Sequence, residues 1–164
     1  MDPQRRLFLR GRLPAKAPRA TPRPPWAVAA PAFIARCTRC EACIKACPQG
    51  ILFKGEGGYP QVRFDEAGCT TCGHCVDACT TQALVRHPDQ QPWEWRAAIG
   101  DGCLAFSKVE CRVCGEICDN AAIRFMPTLA GVSCPTLNVE NCTGCGVCVA
   151  PCPTQAITME VPKT

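Results

Sequence analysis

Cysteines recur along this sequence at a fixed, short spacing. CTRCEACIKACP presents Cys37, Cys40, Cys43 and Cys47, and CTTCGHCVDACT presents Cys69, Cys72, Cys75 and Cys79. CTGCGVCVAPCP presents Cys142, Cys145, Cys148 and Cys152. All three follow C-x2-C-x2-C-x3-C, a spacing that surrounds a cube of four irons and four sulfides. Three thiolates two residues apart wrap a tight loop and converge on three irons. Amides of the same loop are placed to donate to sulfur, which stabilises negative charge and sets potential. The fourth cysteine, expected to start a helix, points away and serves the neighbouring cluster of a pair.

A further run, CLAFSKVECRVCGEIC, supplies Cys103, Cys111, Cys114 and Cys118 with five extra residues after the first ligand. Pairing logic then predicts four crossed sets. These are Cys37, Cys40, Cys43 and Cys79; Cys69, Cys72, Cys75 and Cys47; Cys103, Cys111, Cys114 and Cys152; and Cys142, Cys145, Cys148 and Cys118. Asp119 and Thr80 stand where Pro48 and Pro153 follow their cysteines, and the long third loop is expected to leave its site more exposed. Zinc is served by paired C-x2-C ligands, and repeated triple runs exceed that need. A disulfide scaffold would require a secreted chain, and no ordinary signal peptide is visible. Cys134 is left over and reads as a small buried apolar residue. His74 and His87 read as ordinary polar positions, and Trp93 and Trp95 as packing residues on the second half.

The elements that must hold these loops can be read from what flanks them. Short apolar runs follow the fourth cysteines: ILF at 51–53, ALV at 83–85, AIRF at 122–125 and AIT at 156–158. YPQVRF at 59–64, entered through GEGG, and PTLNV at 135–139 precede the second and fourth motifs as strands. Cys37 and Cys69 are offset by 32 residues and Cys111 and Cys142 by 31, the sign of a duplicated unit. The expected class is α+β: two pseudo-repeated ferredoxin-like halves, residues 31–88 and 89–164, each with small cores built around two clusters. HPDQQPWEW supplies the linker between them. Only ten residues are aromatic, so clusters would fill volume and cross-link the chain.

Residues 1–30 form an irregular, proline-rich basic tail, with Trp26 and Phe33 as its expected docking points. Eight Lys/Arg stand against Asp2 in residues 1–36, whereas the remainder holds ten basic and thirteen acidic residues. Four oxidised clusters would add about −8 to that acidic body. The tail lacks interleaved aromatics, so nucleic acid is not an expected partner. No apolar run reaches the roughly 20 residues of a membrane span. RR-x-FLR at 5–10 is close to a twin-arginine export signal. The polar, proline-rich residues after it supply no apolar region or cleavage site, which favours the cytoplasm. There is no dinucleotide fingerprint, phosphate loop or Ser/His/Asp arrangement, so no independent enzyme is expected.

The RR-x-FLRG start, RPPW, the GGYP turn, IGDGCLAFSKVECRVCGEIC with AIRFMPTLAG, and CTGCGVCVAPCP together resemble one family over essentially the whole chain. It is the NapF family of ferredoxin-type accessory proteins of the bacterial periplasmic nitrate reductase system. The resemblance implies four 4Fe–4S clusters on the sixteen cysteines named above. It also implies a cytoplasmic role in binding, and helping to mature, the precursor of the molybdenum-containing catalytic subunit before export. An electron-transfer subunit of a respiratory or molybdenum enzyme complex is the alternative, and a structural zinc module a third.

Overall fold

Apolar runs separated by glycine-rich turns fold back on themselves, and here they do so in pairs. Leu52–Lys54 (β1) and Pro60–Val62 (β2) form an antiparallel hairpin with Leu52 opposite Val62, closed by a 3₁₀ turn at Glu56–Gly58. Arg96–Ile99 (β3) follows directly on the HPDQQPWEW linker, at a place where no strand was expected. Ile123–Met126 (β4) and Cys134–Leu137 (β5) make a second hairpin, Ile123 opposite Leu137. Ile157–Glu160 (β6) returns antiparallel to β3, with Ile99 opposite Ile157. The run at 83–85 pairs through Leu84 alone, whose partner is Ala27. Val28 N–H donates to Ala83 and Val85 N–H to Trp26 around that bridge. The computed structural model behind this description covers residues 22–88, 90–128 and 131–162. The RR-x-FLR segment lies outside them.

The helices are short. Ala30–Arg36 (α1) begins with a proline in its first turn, where the missing N–H costs no bond, and buries Phe33. Ala42–Lys45 (α2), His74–Asp77 (α3) and Val113–Glu116 (α4) are single turns that each contain the third cysteine of a run. Two differences from expectation follow. The fourth cysteine of these three runs comes just after its helical turn rather than at the start of one. The fourth run forms only turns, because its last helical bond would need an N–H at Pro151. The equivalent bonds are Ala46 N–H to Ala42 and Ala78 N–H to His74.

Two apolar clusters lie beneath these elements. The first gathers Trp26, Phe33, Ile51, Leu52, Val62, Phe64 and Leu84 around Cys75. Pro22, Pro24 and Pro25 are buried beside it, with Val62 N–H donating to the Pro22 carbonyl and Trp26 N–H to Pro92. Trp26 and Phe33 are 3% and 1% exposed, so the chain is anchored where the sequence places its docking residues. The second cluster joins Ala97, Ala122, Ile123 and Ile157 to Cys114, Cys142 and Cys148. No helix among the described residues is long and apolar enough to cross a membrane.

Candidate metal centres

The cysteine loops are tight because their backbone turns through left-handed conformations at two positions each. These are Arg39 and Glu41 in the first loop, Thr71 and Gly73 in the second, and Gly144 and Gly146 in the fourth. The third run reaches the same end differently. Leu104–Ser107 forms a 3₁₀ turn after Cys103, Lys108 takes a left-handed backbone, and Val109 N–H closes back on Leu104. The five extra residues are folded away, and Cys111 returns beside Cys103.

Four small cavities result, each walled by apolar groups and ringed by four cysteines. One is lined by Cys37, Cys40, Cys43 and Cys79, and one by Cys47, Cys69, Cys72 and Cys75. Another is lined by Cys103, Cys111, Cys114 and Cys152, and the last by Cys118, Cys142, Cys145 and Cys148. The fourth thiol of each run therefore crosses to its neighbour's cavity. Among the described residues no three Cys, His, Asp or Glu side chains gather tightly enough for a single metal ion. Four thiols around an apolar void instead suit a four-iron cube, whose ligands stand further apart than the tetrahedron of one zinc.

Burial and mutual proximity govern these thiols. Burial pushes Cys43 up to about 11, with Cys37, Cys79 and Cys40 adding repulsion. Cys75 is pushed to about 12 by burial and then by Cys69, Cys43 and Cys47. Burial and the neighbouring Cys103 and Cys111 raise Cys114 to about 11, and burial with Cys145 and Cys142 raises Cys148 to about 12. Burial likewise lifts Cys69 to about 11, opposed by the Thr71 N–H and reinforced by Cys47, Cys72 and Cys145. Such thiols lose their protons only when a cation replaces them, which couples metal uptake to proton release. Cys152 is different: burial opposes ionisation, yet the Ala156 and Thr154 N–H groups hold its thiol below the ordinary range. Exposed Cys40 is also held low, chiefly by the Ala42 N–H.

Further donors reach the sulfurs as outer support. Thr71 N–H donates to Cys69 Sγ, Ala122 N–H to Cys118 Sγ and Ala156 N–H to Cys152 Sγ, each at 3.3 Å. The exposed thiols are Cys40 and Cys72 in regular loops, contrary to the expectation that the long third loop would be the open one. Cys134 stays apart, half-buried in β5 with its Sγ 3.7 Å from the Ala105 carbonyl. His74 and His87 are exposed and line none of the four cavities. Trp93 does not sit on the outside of the second cluster. It packs edge-on against Phe64 with ring centroids 5.8 Å apart, and its Nε1–H donates to the Gly144 carbonyl at 2.7 Å. The signal for that contact was the pair of glycines in CTGCGVC, at positions where the first loop carries Arg39 and Glu41.

Comparison with known proteins finds iron–sulfur domains in this chain. Residues 36–83 match the model of the 4Fe-4S dicluster domain and residues 134–158 that of the 4Fe-4S binding domain. The class is thus that of 4Fe–4S ferredoxin-type proteins. The ferredoxin-type protein NapF of Escherichia coli (strain K12) is 45% identical over 160 residues, covering 98% of this chain and 96% of the relative. Its counterpart in Haemophilus influenzae is 50% identical over 137 residues, 84% of this chain and 77% of the relative. The chain belongs to the NapF family of ferredoxin-type proteins. A methylamine utilization ferredoxin-type protein, MauM of Methylorubrum extorquens, is 32% identical over 155 residues, 84% of this chain and 70% of the relative. No solved structure matches.

Proposed function

We propose that the chain holds four 4Fe–4S clusters in the crossed sets described above, on a duplicated ferredoxin-like framework spanning residues 31–88 and 89–164. The single observation that carries this is the set of four cavities, each ringed by four cysteines drawn from two runs. When bound, such clusters supply one-electron chemistry at low potential. The family membership supports a cytoplasmic accessory role. In it the protein binds the precursor of the catalytic molybdoenzyme subunit of periplasmic nitrate reductase and helps it mature before export, with no catalytic site of its own. The basic residues ahead of the acidic body would add charge attraction toward that partner.

One contact favours a second reading, an electron-transfer subunit of a respiratory or molybdenum enzyme complex. Cys69 N–H donates to the Cys145 carbonyl at 2.7 Å, which brings the loops of two different cysteine pairs together. Capture of the precursor from the cytoplasm, combined with its cluster content in cells lacking this protein, separates the two. A partner that acquires its full cofactor set without the protein, and loses only electron supply, overturns the maturation role.

A further inference from the structure

The fourth cysteine loop differs from the first in what covers it. Both loops need left-handed backbone at the same two places, φ 59° and 62° at Arg39 and Glu41, and φ 75° and 72° at Gly144 and Gly146. Arg39 and Glu41 show that such a loop accepts side chains at those positions. Conformation alone therefore does not account for both glycines. Space does. Arg39 lies over the Tyr59 ring and Glu41 pairs with Lys54 at 2.7 Å. A Cβ at Gly144 would instead collide with the Trp93 indole and the Trp95 carbonyl, and a Cβ at Gly146 with the Phe64 ring.

Polar contacts point the same way. Gly144 and Cys145 present consecutive carbonyls, and both are taken by donors from earlier in the chain, Trp93 Nε1–H and Cys69 N–H, each at 2.7 Å. Gly68 completes the junction, since a Cβ there would stand 2.6 Å from the Val147 backbone. The loop that carries Cys142, Cys145 and Cys148 is thus pressed into shape from outside. It lacks the closing helical bond of the other three because of Pro151.

We propose that Phe64 and Trp93 are positioning residues for the fourth cysteine loop, so that the site ringed by Cys118, Cys142, Cys145 and Cys148 is shaped by the chain preceding it. The proposal rests on the cluster reading above. Phe64 belongs to the first apolar core and Trp93 to the connecting segment, so this site is not autonomous within the second half. The ring pair fills the space that the glycines leave open, and the indole N–H fixes the carbonyl between Cys142 and Cys145.

Anaerobic iron release to a chelator tests this on the full chain, together with the midpoint potentials of the reduced centres. Trp93→Phe keeps a ring but removes the donor. About a quarter of the iron should then leave two- to tenfold faster, the factor that one lost hydrogen bond allows, and one potential of the set should shift. The other three quarters should leave at the unaltered rate. Gly146→Ala should lose that same quarter, and adding Phe64→Leu should restore part of it. Uniform acceleration of all the iron, no change in Trp93→Phe, or absence of rescue by Phe64→Leu overturns the positioning role. An unaltered chain that binds stoichiometric zinc without sulfide overturns the cluster reading as well.

Discussion

The first core is made of large apolar side chains, and the second of small ones and thiols. Trp26, Phe33, Phe64, Leu52 and Leu84 close over a single buried cysteine in the first. In the second, Ala97, Ala122, Ile123 and Ile157 share the interior with Cys114, Cys142 and Cys148. The surfaces differ in the same sense. Among the described residues before β3 only Ile34 is a large exposed apolar side chain. Phe106, Val109, Val113, Ile117, Met126, Val139 and Val161 are exposed beyond it. Burying a large apolar side chain stabilises by about 1.5–3 kcal/mol, so side-chain burial contributes more to the first region than to the second. In the second, thiols take up much of the interior.

Iron removal should divide the molecule most sharply. In the iron-free protein, amide exchange at β4 and β6 should lose protection while β1 and β2 retain it, because only the first core survives on side-chain burial. Equal loss in both regions would break the contrast. Next in size, Cys79→Ala should remove the cluster of Cys37, Cys40 and Cys43, and Cys152→Ala that of Cys103, Cys111 and Cys114. Each change would cost about a quarter of the iron. Spectra showing each loss confined to the mutated cysteine's own run would undo the crossed assignment.

Core substitutions sharpen the comparison further. Phe33→Ala should cost about 3–5 kcal/mol in denaturant unfolding of the iron-free protein. Ile123→Val, worth about 0.5–1.5 kcal/mol in a formed core, should be silent there and visible only with iron bound. The smallest effect is in thiol reactivity. The thiolate is the nucleophile, so a raised pKa slows alkylation at pH 8 by about tenfold per unit. Exposed Cys40, held low, should react fastest. Cys75, pushed up to about 12 by burial in the first core, should stay slow without iron. Cys148 is pushed equally high in the folded chain but should react readily once its core opens. A Cys148 as slow as Cys75 in the iron-free protein would mean that the second core stands unaided.

Cysteine spacing made the site more legible than the fold. Ligand runs state their geometry locally, whereas the crossed grouping comes from the pairing known for two-cluster ferredoxins and not from the intervals of any one run. The stretched third run is accommodated by a 3₁₀ turn that absorbs its excess. The hairpins β1–β2 and β4–β5 were visible as apolar runs around glycine or proline. What escaped was non-local. RAAI at 96–99 has no strand signature of its own and becomes β3 because β6 returns to it. The proline-rich residues 22–25 suggest an irregular tail, yet Pro22, Pro24 and Pro25 are buried against the first core. Trp93 shows its role only when Gly144 arrives from 51 residues away.

The crossed thiols also bear on when each site can be completed during synthesis. A ribosome extends the chain from its N-terminus at about 5–20 residues per second. Cys37, Cys40 and Cys43 emerge early but wait for Cys79, and Cys103, Cys111 and Cys114 wait for Cys152. β6, which closes the sheet with β3, follows still later. The first pair of sites can therefore be finished while the second is still being translated, whereas the second pair cannot be completed before Cys152 has been made. Partly made chains would hold three-thiol sites with one corner open to solvent, a state in which delivered iron is easily lost. Iron insertion into the later pair is thus held back until its distant fourth thiol arrives, by the threading of the backbone itself.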